Sequence, residues 1–176
     1  MVLRMSTIDD ATPPTFGTLP WTRRCFVCGE ANPHGLHQHS RIEGEWIVMD
    51  YTPREADLGY KSVVHGGITM TILDEVMTWA AIVSAHRGCV TAEITVRLRA
   101  PIAVGEPLRF AARVCAAKRL LVRTEAQVTR ADGAIAATAT GAYVPMNASQ
   151  LAFNAADFVT HPDAIDPKRL FGGDGR

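Results

Sequence analysis

Residues 63–85, VVHGGITMTILDEVMTWAAIVSA, constrain the fold more than any other part of this chain. Gly66 and Gly67 open a long apolar segment, and two adjacent acids, Asp74 and Glu75, sit in its middle. The pattern predicts a helix from Gly67 to about Ala85, apolar enough to need covering by other elements. Carboxylates are rarely buried in a helix without a partner or a chemical task. The acids therefore call for an explanation beyond packing.

Around this helix the chain reads strand, strand, helix, then four strands. Leu36 to Ile42 and Glu45 to Tyr51 flank Glu43-Gly44 as a hairpin. From Thr91 to Ala100 the side chains alternate strictly: Ala92, Ile94, Val96, Leu98 and Ala100 share one face, and Thr91, Glu93, Thr95, Arg97 and Arg99 the other. Leu108 to Val114 alternates as well, Leu120 to Thr129 follows a tight turn, and Asp132-Gly133 is a hairpin signal. The last strand, Ala134 to Val144, is mostly Ala and Thr and so permits close approach of whatever packs on it. Successive hairpins imply an antiparallel sheet with one dry face, and the apolar helix is its natural cover. The expected class is α+β, a curved antiparallel sheet wrapped around one long central helix.

The length of 176 residues suits one domain with a sizeable core. Residues 1–22, with Pro13, Pro14 and Pro20, read as an irregular arm, 23–148 as the folded domain, and 149–176 as a loosely held tail with a short helix near Leu151 to Phe158. With 18 basic and 18 acidic residues, nothing points to nucleic acid or an anionic membrane surface. Asp74, Glu75 and Thr78 make the apolar run too short and too polar to span a bilayer. The first twenty residues lack the apolar region of a signal peptide, and four cysteines do not suggest a disulfide scaffold. The expectation is a soluble cytoplasmic protein.

A helix N-terminus offers free N–H groups and the positive end of a dipole, and Gly66 and Gly67 leave that backbone open to a ligand oxygen. This is the geometry of an oxyanion hole. Asp74 shares a polar stripe with Thr71 and Thr78, and Thr78, one turn on, is placed to hold a water against the carboxylate. A carboxylate in apolar surroundings serves as general base or nucleophile. Glu75 points about 100° away and reads as a partly exposed or interface residue, the reserve acid. His65 reads as a cap or as a donor to nearby backbone. Eight residues of helix put Gly66 and Asp74 about 12 Å apart, too far to act on one carbonyl within one chain. If both act on one carbon, they come from two subunits packed about a two-fold axis.

The pattern H-G-G-x-x-x-x-x-x-D at the start of a long helix, followed by four antiparallel strands, resembles the hotdog-fold acyl-CoA thioesterases of the phenylacetate-degradation type. The resemblance covers about residues 25 to 146. It implies hydrolysis of an acyl-CoA thioester by homodimers or homotetramers, without a cofactor, with Asp74 as base or nucleophile and Gly66 N–H of the partner subunit polarising the carbonyl. His65 and Thr78 would complete the catalytic group, Thr78 where a related branch has a threonine assisting the acid. Gly67, Met70, Arg97 and Arg99 would contact substrate, with Lys118 and Arg119 as further cations for the coenzyme A phosphates. Relatives carry Asn or Gln six residues before the histidine, where this chain has Gly59. A non-catalytic acyl-CoA-binding or sensing hotdog protein is the alternative. A hotdog hydratase is the weaker one, since the histidine–acid spacing it needs is absent.

The stretch CFVCGEANPHGLH also resembles the lead-in of one hotdog subgroup. Cys25-x-x-Cys28 with His34, His37 and His39 has the donor types for zinc, but there is no second Cys-x-x-Cys. The sequence alone favours a turn with small buried thiols and no metal.

Overall fold

The computed structural model describes residues 14–146 and 157–171. Nine strands are defined: β1 Phe16–Thr18, β2 Arg41–Glu43, β3 Trp46–Tyr51, β4 Leu58–Tyr60, β5 Val63–Val64, β6 Cys89–Leu98, β7 Leu108–Lys118, β8 Leu121–Arg130 and β9 Ile135–Pro145. Seven of them form one antiparallel sheet in the order β1-β2-β3-β7-β8-β9-β6, while β4 and β5 make a small separate hairpin. The one α-helix among the described residues, α1, runs from Gly66 to Ala85 and packs across β3, β7, β8, β9 and β6. This is the hotdog arrangement, a sheet curled around one helix, as the hydrophobic pattern predicts.

Helix α1 starts where His65, in extended conformation, accepts the Gly67 N–H on its ring. It ends at His86, which adopts the left-handed conformation (φ 53°) that commonly closes a helix. Ile72, Leu73, Val76 and Met77 are fully buried against the sheet, each worth about 1.5–3 kcal/mol of removed apolar surface. With 20 residues and a mean hydropathy of 1.3, α1 does have the length and composition of a membrane span, contrary to the expectation. Its enclosure by five strands marks it as a core helix. The small residues of β9 let α1 approach. A Cβ on Gly141 would lie 2.8 Å from Met77 Cε and 2.7 Å from the Tyr143 ring.

Two departures from strict alternation matter for the site. Thr91 pairs with Tyr143 and Glu93 with Ala142, so Ala92 is the extra residue of a β-bulge. The bulge reverses the facing of Thr91, which turns toward α1 rather than lying with Glu93 and Arg97 on the outer face. In addition, Leu36 to Ser40 is not a strand. Leu36 and Gln38 instead donate to the carbonyls of Phe26 and Val27, holding the cysteine loop.

The ends of the described chain are better held than arm and tail suggest. Phe16–Thr18 is the edge strand β1, and Trp21 stacks on His39 with ring centroids 3.8 Å apart. Within 157–171, Ile165 N–H bonds to Thr18, Val159 N–H bonds to Trp21, and Leu170 is buried. Hydrophobic pairing across distant segments ties down what local composition cannot. The helix expected near Leu151 falls mainly outside the described residues.

Candidate active site

The turn entering α1 is built by residues on both sides of it. Asp57 lies in a single 3-10 turn, Glu55–Asp57, and is almost wholly buried. Its carboxylate accepts from the Tyr51 hydroxyl, from Arg54 N–H at 2.7 Å and from the Arg54 guanidinium at 3.0 Å. Burial alone pushes this carboxyl up, but the bonds from Arg54 and Tyr51 outweigh it and hold the group below the ordinary aspartate value. The Asp57 carbonyl in turn accepts His65 N–H at 2.8 Å. Gly59 lies against the same residue. A Cβ there would sit 2.7 Å from His65 Cα, so the turn leaves no room for the Asn or Gln of the relatives.

His65 Nδ1 accepts the Gly67 N–H at 2.9 Å, which commits that ring nitrogen and that donor to capping the helix. The Gly67 N–H is therefore not free at the start of α1. Among the described residues, nothing accepts from Gly66 N–H, and the one atom that a Cβ on Gly66 would crowd is the tip of Leu98 at 3.0 Å. Of the two glycine N–H groups at the start of α1, Gly66 is thus the one left without an acceptor among the described residues.

Asp74 lies half-buried in the middle of α1. Its Oδ1 accepts from Thr91 Oγ1 at 2.8 Å and from the Tyr143 hydroxyl at 3.0 Å. Thr91 and Tyr143 are cross-strand partners on β6 and β9, so adjacent strands deliver two hydroxyls to one carboxylate oxygen. Burial, and next the charge of Asp74, push the Tyr143 phenol up, and it remains a donor across the neutral range. Thr78 lies beside the Tyr143 hydroxyl rather than bridging to Asp74 alone. Both bonds fall on Oδ1, leaving Oδ2 available to a proton or a carbonyl carbon.

Sequence reasoning overlooked Thr91, Tyr143 and Asp57. Tyr143 left a trace, being the sole aromatic residue in the Ala/Thr strand IAATATGAYVP. Thr91 left none, because the bulge conceals its facing. Met70 is exposed in the first turn of α1. Arg97 is exposed on β6 and alternates with Val96 and Leu98, which turn toward the helix, so within one chain it projects from the opposite face; Arg99 is exposed just beyond the strand.

Glu75 is intermediate in exposure, in keeping with a partly exposed residue, and turns toward the cysteine loop. Its Oε1 accepts from the Trp79 indole N–H at 3.2 Å, and its Oε2 lies 3.9 Å from Cys25 Sγ. Burial, then the charge of Cys25, push this carboxyl up to about 7. Asp74 and Glu75 serve separate places, the first facing β6 and β9 and the second facing the cysteine loop. The histidines of that loop turn to backbone: His37 Nε2 to Asn32 O at 2.5 Å and His39 Nε2 to Cys28 O at 3.1 Å.

A curved sheet around one helix, with an acid at mid-helix and an open N–H at its start, defines a hotdog-fold protein. Residues 61–137 match the model of the thioesterase superfamily, and the domain has the hotdog fold. PaaI of E. coli, from the phenylacetic acid degradation operon, aligns over 60% of this chain and 75% of its own, at 17% identity and TM-score 0.56. An acyl-CoA hydrolase of Staphylococcus aureus, solved with butyryl coenzyme A, coenzyme A and coenzyme A disulfide, aligns over 60% of this chain and 65% of its own, at 21% identity and TM-score 0.56. This chain thus covers just under two thirds of that hydrolase. A Streptococcus mutans protein bound to acetyl-CoA aligns over 84% of this chain and 98% of its own, at 14% identity and TM-score 0.56. No curated protein matches the chain in sequence.

Proposed function

We propose that this protein hydrolyses an acyl-CoA thioester to the free acid and coenzyme A, at composite sites made by two subunits. Asp74 supplies the base or nucleophile, and Gly66 of the partner subunit supplies the oxyanion N–H. The observation that carries this reading is the Asp74 carboxylate, anchored through Oδ1 by Thr91 and Tyr143 with Oδ2 left open. As base, Oδ2 takes a proton from water as the water oxygen attacks the thioester carbon. The carbonyl oxygen gains charge against the Gly66 N–H, and collapse expels the thiolate, which receives the proton back from Asp74. As nucleophile, Oδ2 forms an acyl anhydride and releases the thiolate, and water then cleaves the anhydride.

The helix rise, about 12 Å between Gly66 and Asp74, supports the two-subunit arrangement. So does β6, an edge strand with Val90 and Leu98 exposed, the kind of edge that pairs with a second copy. Coenzyme A bound to the S. aureus hydrolase and acetyl-CoA bound to the S. mutans protein support the substrate class. Arg97, Arg99, Lys118 and Arg119, all exposed, are assigned to its phosphates.

The test is hydrolysis of acetyl-, medium-chain and aromatic acyl-CoA by the purified protein and by Asp74→Asn. The substitution should lower turnover about a hundred- to ten-thousandfold. Unchanged turnover would sink the assignment, and coenzyme A thioester binding without turnover by the native protein would favour a sensor. Mixed dimers of Asp74→Asn and Gly66→Pro chains should recover one intact site in two.

A further inference from the structure

We infer that Cys25, Cys28 and Glu75 form a zinc site that clamps the loop before β2 onto α1, one residue past Asp74. One ligand atom from each residue lies within 4.8 Å of the others. Two thiolates and a carboxylate around a tetrahedral zinc ion are separated by about 3.5–3.8 Å, given Zn–S near 2.3 Å and Zn–O near 2.1 Å. A small rotation of side chains closes that difference. The Glu75 Oε2 to Cys25 Sγ distance is already 3.9 Å.

The surroundings are those of a ligand set. Cys25 Sγ accepts backbone N–H from Val27 at 3.3 Å and from Cys28 at 3.4 Å, which stabilises negative charge on the sulfur. The loop that allows this closes on Gly29, where a Cβ would lie 2.5 Å from Cys25 N and 2.6 Å from its carbonyl oxygen. Glu75 is oriented from behind, since the Trp79 indole holds Oε1 and leaves Oε2 toward the cysteines. Such outer hydrogen bonds typically fix metal-binding carboxylates. Among the described residues, no lysine, arginine or histidine forms an ion pair with Glu75. The Cys25 thiol donates to Glu75 Oε2 at 3.9 Å, so a cation that displaces this proton would meet a thiolate and a carboxylate oxygen already turned toward one point. Soft sulfur with one hard oxygen in a compact cluster selects zinc, with a fourth position left for water.

Of the histidines that the spacing suggested, His37 and His39 are engaged with backbone carbonyls. The third ligand comes instead from α1, 50 residues from Cys25 in sequence. Zinc binding at this loop is independent of thioester hydrolysis.

The experiment is elemental analysis of protein purified without chelator, followed by removal of metal and titration of the full chain with Zn(II) and Co(II). One zinc per chain is expected, together with a near-ultraviolet thiolate-to-cobalt band. Glu75→Gln should weaken binding roughly ten- to a hundredfold and change the cobalt spectrum. Cys25→Ser and Cys28→Ser should abolish the band, while Cys115→Ser, at an exposed thiol, keeps it. If the cysteine variants do not fold, competition between a chelator and the native or Glu75→Gln protein decides the matter alone. Absence of stoichiometric binding by the refolded native chain overturns the site. So does a metal-free protein whose mass is about 2 Da low, with the disulfide mapped by peptide mass to Cys25 and Cys28.

Discussion

Asp74 and Tyr143, 69 residues apart in sequence, meet in a 3.0 Å hydrogen bond between the mid-helix carboxylate and the phenol of β9. The bond joins the helix to the sheet at the point where Thr91 adds a second hydroxyl. Asp74 therefore has its orientation before any substrate arrives.

Removing the phenol should leave the fold intact and disturb the acid. Tyr143→Phe keeps the buried ring and should cost about 1 kcal/mol of stability. Hydrolysis of the best acyl-CoA should fall about tenfold or more in kcat, with KM changed less, because the loss is in positioning. Thr91→Ala should act in the same direction, and the double variant less than additively, since both hydroxyls serve one oxygen. Steady-state kinetics of the four proteins checks this.

Gly59→Asn restores the residue type of the relatives yet should harm this protein. Its Cβ would meet His65 backbone at 2.7 Å, so the turn carrying His65 and Gly66 must shift. Both Gly59→Asn and Gly59→Ala should lower kcat/KM and the melting temperature. A rise in activity with asparagine would contradict the packing argument.

Asp57 makes stability depend on acid. Its folded carboxyl lies below the ordinary value of 3.8 because the bonds from Arg54 and Tyr51 overcome burial. Near and below that value the unfolded chain binds the proton first, so the Asp57 contribution is complete at higher pH and is lost as pH falls through the folded value. Asp57→Asn should cost about 2–3 kcal/mol at pH 7 and flatten the acid limb of the melting temperature. Thermal melts of both proteins from pH 7 down to pH 3 test the sign.

Gly141→Val should destabilise through crowding of Met77 and Tyr143, by about 1–3 kcal/mol. For a chain of this length that is a drop of about 2–4 °C per kcal/mol. Because the displaced ring is that of Tyr143, hydrolysis should fall together with the melting temperature. Differential scanning fluorimetry beside the kinetics shows whether the two move together.

Much of this architecture was legible in short patterns. The apolar run after His65-Gly66-Gly67 marked α1 to within a residue, and the alternating segments marked β3 and β6 to β9. The bulge at Ala92 was not legible, since one extra residue in a strand leaves no compositional sign while it reverses the facing of Thr91. The partners of Glu75 were hidden for a related reason: Cys25 lies 50 residues away and is brought there only by the fold, while Trp79 lies one helical turn on.

By itself the sequence determined the helix, its glycine entry, the acid at its centre and the antiparallel class, because each rests on periodicities and turn preferences written within a few residues. Tertiary structure decided which groups hold Asp74, which donor the helix start leaves free, and where Glu75 points. Those outcomes depend on register and close approach between segments far apart in the chain, where a one-residue shift changes every partner.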